Sequence, residues 1–434
     1  MTSVVIHAHC YQPPREDPFT GLVPVERTAA PFHDWNARIT DESYLPLSNA
    51  RDLSARARIN LFEWISFNVG PTLAIWLERE APAVLDAMRA GDARSVERLG
   101  FGNAIASSFN HVILPLASPH ERKREIFWGL HDFRARFGRE SLGFWCPETA
   151  MDDNTAQALA ESGVQFAIVA PYQIRDGGHD GQPRRWRGKH GHSLWLAPYH
   201  GELSGSIGFG DLAQQSERLA HALATIAAER GIASIATDGE TFGHHKRHGE
   251  MALAQALGSL RRSGNATVTN FAAIINARSD WADGQLVSPS SWSCAHGIER
   301  WRSNCGCGAT HDTGRAQEWR GPLREALRWL GDALDAADGD DPELTPQRKA
   351  RYGMLTSCGW FFDRFEGHET RLLLRMAAFA LSGRKDAAEL ESGFIQRLIH
   401  ANCNDRALGN GADLWYRDFH ALIGAADTET AGTH

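Results

Sequence analysis

The sequence lacks an excess of basic residues: 45 Lys and Arg stand against 53 Asp and Glu, a formal net charge of -8. Nucleic acids and anionic membranes are held by basic faces, so neither is expected as a partner. No apolar run approaches the length of a bilayer-spanning helix. Residues 3–8 (SVVIHA) read as a strand with no basic region or long apolar segment before it, so no export signal is expected. Cysteine is scarce and unpatterned, seven residues without disulfide spacing, which predicts reduced thiols and a cytoplasmic location. Three catalytic signatures are missing as well. There is no Gly-x-Ser-x-Gly elbow, no phosphate-binding loop, and no His-Glu-x-x-His pattern around His244, His245 and His248. The glycines of residues 205–210 lack dinucleotide-binding spacing, and residues 206–209 read as a short strand. No internal repeat or low-complexity linker interrupts the chain.

What is present is an ordinary globular composition, 42% hydrophobic and 23% charged over 434 residues, enough for one large domain and a smaller one. Fourteen tryptophans are many. Most belong in a core, but the flat apolar face of indole also stacks on sugar rings. After the first strand, residues 10–46 form a long Pro-rich loop of the kind that lines sites. Strands are expected at 65–69, 142–145, 166–170, 193–197 and 232–237, with helices at 72–80, 120–137, 153–162, 212–230 and 249–263 between or after them. Alternation of this kind predicts a parallel sheet with crossovers, and at this length a barrel or near-barrel. From Gly321 apolar residues recur at helical spacing, so a helical region is expected there, interrupted by the acidic residues 335–341.

Two carboxylates each follow an apolar strand directly. Glu148 comes after Gly143-Phe144-Trp145-Cys146-Pro147, and Asp238 after Ile232-Ala233-Ser234-Ile235-Ala236-Thr237. Acidic residues at the C-terminal ends of parallel strands lie on the face where barrel enzymes assemble their sites. A pair of carboxyl groups is what glycoside hydrolysis needs, one to protonate the leaving oxygen and one to attack or stabilise the oxocarbenium-like centre. A lone strand-end acid is more often a helix cap or loop hydrogen-bonder; the pair, beside aromatic and glycine residues, weighs against that.

Four ordered segments then carry a resemblance. His7-Ala8-His9-Cys10-Tyr11-Gln12-Pro13-Pro14, Asn110-His111-Val112-Ile113-Leu114-Pro115-Leu116, Phe144 to Glu148, and Thr237 to His245 are similar to the motifs of glycoside hydrolase family 57. More narrowly, GFWCPETAMD, TDGETFGHH, SWSCAHGIERWRSNCGC and TSCGWFF resemble a bacterial subgroup carrying the domain of unknown function 3536. The resemblance implies an α/β fold, a distorted (β/α)7 barrel over residues 1–310 and a C-terminal helical region over 311–434 that closes the cleft. It implies a retaining hydrolase or transglycosylase of α-glucan or maltooligosaccharides, with Glu148 as nucleophile and Asp238 as acid/base, and no cofactor. His7, His9, Gln12, His111, Trp145, Glu240 and His244 within these motifs become substrate contacts. Trp360 and Asp363 join them from an aromatic segment, residues 352–367, that resembles the family's C-terminal motif. One element departs from the family pattern. Its common Gly-x-x-Glu is replaced here by Gly102-Asn103-Ala104-Ile105, so a carboxylate is missing from that part of the cleft.

Cys294, His296, Cys305 and Cys307 cluster around Trp301, with Trp292 just ahead of them. Such a set is a candidate tetrahedral zinc site, with Cys358 as a substitute ligand. Cys-x-Cys is not the usual knuckle, however, and a thiol-rich loop packed under tryptophan reads the same way. The expectation is therefore no metal, with this cluster as the single candidate. Two other readings stay open: a metal-dependent carbohydrate enzyme (α-mannosidase or polysaccharide deacetylase) using His7, His9, Asp238 and His245, and a non-catalytic glucan-binding protein.

Overall fold

Parallel strands buried on both faces read as continuous apolar runs, and the segments IASIAT and FAIV are of that kind. In the computed structural model, which describes residues 2–53, 55–308, 316–339 and 345–429, with side chains to residue 424, they lie in a ring of seven strands. These are β1 (Ser3–Cys10), β2 (Ser66–Val69), β3 (Ala106–Ser107), β4 (Gly143–Trp145), β5 (Phe166–Val169), β6 (Ser193–Pro198) and β7 (Ile232–Asp238). Neighbours in space are neighbours in sequence, and β7 pairs with β1 to bring the ring round. Two seams are thin. A single parallel bridge, Phe67 to Ala104, joins β2 to the segment entering β3. The His200 N–H donates to the Ser234 carbonyl at 2.7 Å where β6 meets β7. The ring is the distorted (β/α)7 barrel.

The chain divides into two units. The first contains Met1–Pro14, Val25–Phe109 and Leu114–Trp292, and holds the ring and its crossover helices. Among these are α1 (Pro71–Glu80), α2 (Pro82–Leu99), α3 (Pro119–Phe137), α4 (Asp153–Glu161), α5 (Gly201–Gly208), α6 (Ser216–Arg230) and α7 (Gly249–Ser263). Sequence caps start two of them. Ser118 and Glu121 form a reciprocal capping box on α3, and the Asp152 carboxylate accepts from the Thr155 N–H at 2.7 Å on α4. One face of β1 carries Val5, His7 and His9 at the two-residue period of a strand. Val5 packs with Ile105, Trp145, Ile168, Ala197 and Ala236, so the histidines stand directly above the apolar core.

Three local expectations change. Residues 206–209 are not a strand but lie in and just beyond α5, which His200 caps by accepting from the Leu203 N–H. A short apolar run has no period long enough to separate strand from helix. Helix α2 and strand β3 were not foreseen, the first because Gly91 and several charges interrupt its apolar stripe. Gly91 is needed there, since a Cβ would fall 2.7 Å from the Phe62 backbone.

The second unit comprises Arg15–Pro24, Asn110–Ile113 and Ser293–His434. Its helices are α8 (Arg320–Asp338), α9 (Pro346–Gly353), α10 (His368–Leu381), α11 (Ala387–Leu398), α12 (Gly411–Asp418) and α13 (His420–Glu429). Helices α8 and α11 pack closely at Gly393, where a Cβ would lie 2.0 Å from the Trp329 ring. Trp301, Trp319, Trp360 and Trp415 fill the core of this unit. The boundary expected at 310/311 lies outside the described residues, as does the end of the acidic stretch 335–341, whose first part continues α8. The chain passes from the first unit to the second between Trp292 and Ser293. The cysteine loop therefore belongs with the helices, and its Cys307 carbonyl accepts from Arg320 at the start of α8 and from Gln317 just before it. Among the described residues no helix is long and apolar enough to cross a membrane.

Candidate active site

Because the seven strands run parallel, their C-terminal ends share one face of the ring, and the residues singled out by sequence arrive there from separate strands. His9 of β1 pairs in register with Asp238 on β7 and with Asn68 on β2. Asn68 Oδ1 accepts from His7 Nε2 at 3.2 Å and from His9 Nδ1 at 3.0 Å, and His7 Nδ1 lies 3.0 Å from the Ser66 hydroxyl. With the amide so oriented, His7 carries its proton on Nε2 and His9 on Nδ1. Both imidazoles stack on Trp145, each at 4.9 Å between ring centres, and His9 also stacks on Tyr11. Burial holds both rings neutral. It pushes His7 down to about 3, with the neighbouring charge of His9 adding to it, and His9 down to about 4.

Glu148 leaves β4 in a strained turn. It sits at φ 58°, and Thr149, a β-branched residue, follows at φ 48°. Left-handed conformations of this kind cost on the order of 1–3 kcal/mol each and persist only where the surroundings over-determine them. Here the surroundings are specific. The Trp292 backbone N–H donates to the Glu148 carbonyl at 3.0 Å, and its indole N–H donates to the Glu148 carboxylate at 3.0 Å. Gln173 donates to the Thr149 carbonyl at 2.8 Å. Trp292 in turn meets Trp145 edge-on at 5.0 Å and Tyr199 at 6.3 Å.

Asp238 ends β7. Gly239 follows it because a Cβ there would fall 2.8 Å from Cys10 Sγ, so only glycine lets the chain turn this close to β1. Asp238 keeps solvent exposure as a residue yet is desolvated by the protein around it, and the desolvation governs its ionisation. Desolvation first, then the charges of Glu240 and Glu148, hold it well above the usual carboxylate range. Glu240 is buried and likewise raised by desolvation, against hydrogen bonds from Tyr44 and from Gln12, the latter at 3.3 Å. His244 pairs with Glu42, which Arg38 also holds at 3.1 Å, and its ring meets Trp35 edge-on at 5.9 Å.

Nine of the expected residues thus fall in the first unit: Glu148, Asp238, His7, His9, Gln12, Trp145, Glu240 and His244 at the strand ends or in the segments after them, with the His245 ring tilted against His244 at 4.8 Å. His111, Trp360 and Asp363 belong to the second unit. There His111 Nδ1 lies 2.8 Å from the Ser357 hydroxyl. Trp360 is fully buried, with its indole N–H donating to the Arg320 carbonyl and Arg324 3.7 Å over its ring. Asp363 accepts from Gln317 at 3.0 Å and faces Arg320. Cys294, His296, Cys305 and Cys307 also lie there, and they are the one group of His, Cys, Asp or Glu among the described residues whose ligand atoms converge as for a metal. His7, His9, Asp238 and His245 form no such group. Ile105, which stands at the position of the carboxylate in the Gly-x-x-Glu pattern, is buried in the apolar core.

Several members of the site had no sequence signal of their own. Glu42 and Tyr44 lie in the long loop 10–46 and Asn68 in the expected strand 65–69, but these residues and Tyr199 are single polar positions with no pattern around them. Trp292 drew notice only as a neighbour of the cysteines.

The chemistry such a group supports is acid/base work by a carboxyl raised above its usual range and an oriented carboxylate. A family model described as "Glycosyl hydrolase family 57" matches residues 10–279, and one described as "Domain of unknown function (DUF3536)" matches residues 344–426. No functionally curated protein matches the sequence. Among solved structures the chain is similar to an exo-type maltose-forming amylase from Pyrococcus sp. ST04, with a TM-score of 0.71 at 14% identity over 92% of this chain and 83% of that one. It is similar to a 4-alpha-glucanotransferase from Thermococcus litoralis, with a TM-score of 0.64 at 15% identity over 92% of this chain, which spans 60% of that enzyme's length. A GH57-type branching enzyme from Pyrococcus horikoshii aligns with a TM-score of 0.58 at 15% identity over 97% of this chain and 93% of that one. At these identities the likeness shows a common fold.

Proposed function

The chain belongs to glycosyl hydrolase family 57, and on that premise we propose that it is a retaining hydrolase or transglycosylase of α-glucan, with Glu148 as nucleophile and Asp238 as acid/base. One observation carries the assignment of roles. Glu148 is fixed at a strained turn with its carboxylate held by Trp292, while the Asp238 carboxyl is raised by desolvation first and then by the charges of Glu240 and Glu148. The names of the aligned enzymes, an amylase, a glucanotransferase and a branching enzyme, support an α-linked glucose polymer as substrate.

The steps follow from that asymmetry. Asp238 gives its proton to the glycosidic oxygen as Glu148 attacks the anomeric carbon, and a glycosyl ester forms on Glu148. Esterification removes the Glu148 charge, and with it one of the causes that raised Asp238. Asp238, a carboxylate since it gave up its proton, is thereby favoured in that form, and it takes a proton from water or an acceptor hydroxyl, which attacks the ester. His7 and Trp145 are wholly enclosed by protein, so their role in this reading is to set the position of His9 rather than to touch sugar. His9, Gln12 and His244 remain as contacts for hydroxyl groups, with Glu240 anchoring Gln12. Trp360, closed within the second unit, is read as core.

The test sets wild type beside Glu148→Gln on maltooligosaccharides and α-glucans, with products followed by chromatography and the first-formed anomer by NMR. Wild type should release or transfer α-configured products, and Glu148→Gln should lose turnover by about 10³-fold or more while still binding glucan. Full turnover by Glu148→Gln would remove the nucleophile assignment. A first-formed β-anomer would remove the retaining mechanism, and no products on any α-glucan would remove the substrate class.

A further inference from the structure

We propose that Cys294, His296, Cys305 and Cys307 bind one zinc ion, forming a closed structural site within the second unit. The ligand atoms of all four residues lie within 4.8 Å of one another. Cys294 Sγ is 4.0 Å from Cys305 Sγ, and Cys307 Sγ is 3.5 Å from His296 Nδ1. A tetrahedral zinc with Zn–S bonds of about 2.3 Å sets S···S edges of about 3.8 Å and slightly shorter S···N edges. The four groups thus stand within a few tenths of an ångström to about an ångström of the cage zinc requires. Three sulfurs and an imidazole are a soft set that suits zinc and discriminates against magnesium or calcium. Four protein ligands leave no open position, so the site is structural rather than catalytic.

The loop is built to hold this arrangement. The Cys307 carbonyl accepts from three donors of buried side chains, Arg300 Nε at 3.4 Å, Arg320 Nη1 at 3.2 Å and Gln317 Nε2 at 3.1 Å. Arg300 also donates to the Ser293 carbonyl at 3.0 Å, so one guanidinium ties both ends of the ligand loop. Gly306, at φ 82° with open space where a Cβ would stand, turns the chain between Cys305 and Cys307 tightly enough for both thiols to face one point. That glycine answers the objection raised by the short Cys-x-Cys spacing. Binding releases three thiol protons and leaves three thiolates and a neutral imidazole on Zn²⁺, a net charge of minus one. The buried cations Arg300 and Arg320 stand ready to balance it. The competing state, a Cys294–Cys305 disulfide, shares two of the same sulfurs and excludes this one.

Full-length protein, purified with reductant and without chelator, is measured for metal by mass spectrometry and for free thiols. About one zinc per chain is expected. Replacement of that zinc by cobalt should give thiolate-to-cobalt charge transfer in the near ultraviolet and the intense visible bands of tetrahedral cobalt. Cys305→Ser/Cys307→Ser should lose the metal, whereas Cys358→Ser should keep it. Should the double variant fail to fold, the cobalt spectrum of the wild type carries the test alone. Wild type without zinc and without the cobalt bands, a disulfide shown by missing thiols, or loss of metal in Cys358→Ser would each overturn the assignment. None of these readouts depends on activity toward glucan.

Discussion

The strand-end site of the first unit and the thiol loop of the second gather reactive side chains in opposite ways. The first draws His9, Asn68, Glu148, Asp238 and Trp292 from five separated places in the chain. Its geometry comes from the register of a parallel ring. The second takes its four ligands from one loop and has no sheet to set them; buried arginines and glutamine hold the backbone instead. The difference teaches where unfavourable states can be kept. A ring that over-determines its strand ends can hold a carboxylate at positive φ and a carboxyl against its ionisation. A loop holds like groups together only if something neutralises them, which is why the cluster points to an ion.

Removing the proposed acid should break the first half of this contrast most severely. Asp238→Asn is expected to lower turnover on α-glucan about 10²- to 10⁴-fold, the usual worth of a positioned general acid. The same substitution should stabilise the fold at neutral pH. The Asp238 carboxyl is raised in the folded state, so the folded protein binds more protons than the unfolded chain above the ordinary carboxylate range, and its stability falls as pH rises through that window. The amide of the variant has no charge to disfavour, so the gain should grow from pH 4 toward pH 7. Urea midpoints of both proteins across that range decide it, and a variant less stable at pH 7 than wild type would show that Asp238 is held by attraction rather than against its charge.

Trp292→Phe sharpens the contrast at a smaller scale. It keeps the ring edge against Trp145 and the backbone bond to Glu148, and removes only the indole donor to the carboxylate. A hydrogen bond to a charged group is worth roughly 1.5–3 kcal/mol, so kcat should fall about 10- to 100-fold. KM should change little, because the bond orients the proposed nucleophile rather than binding substrate. A rise in KM with kcat intact would make Trp292 a substrate contact instead.

How much of this was legible in the sequence follows the same division. The strands that became the ring were readable because buried parallel strands are apolar along their whole length, as in Phe166–Val169 and Ile232–Asp238. The short strand Ala106–Ser107 carries too few residues for any period, and Pro82–Leu99 has an apolar face broken by Gly91 and Asp92. Glu148 and Asp238 stood out because each ends such a run. Asn68, Tyr44 and Glu42 did not, since a polar residue acquires meaning only from what the register brings beside it. The cysteine cluster was visible for the contrary reason: its members are neighbours in the chain, and only the turn at Gly306 was needed to judge their spacing.

The last test bears on the two buried histidines and is the subtlest. His7 and His9 are held below the ordinary imidazole value of 6.5, at about 3 and about 4, chiefly by burial. Between pH 6.5 and those values the unfolded chain binds protons that the folded protein refuses. Their contribution to stability is therefore complete above pH 6.5 and is lost as pH falls toward 4. This runs opposite to Asp238, whose effect on stability worsens as pH rises, so the ring is drawn on from both sides and its stability should pass through a shallow maximum. Long-range nitrogen–proton NMR of the imidazoles gives the direct reading: both rings should remain neutral at pH 5.5, His7 protonated at Nε2 and His9 at Nδ1, as their shared acceptor Asn68 Oδ1 requires. Imidazolium signals from both residues at that pH would mean that the row His9, Asn68 and Asp238 is hydrated in solution. The raised Asp238 would then lose its largest cause, and the proposed division of labour between the two carboxyl groups would fall with it.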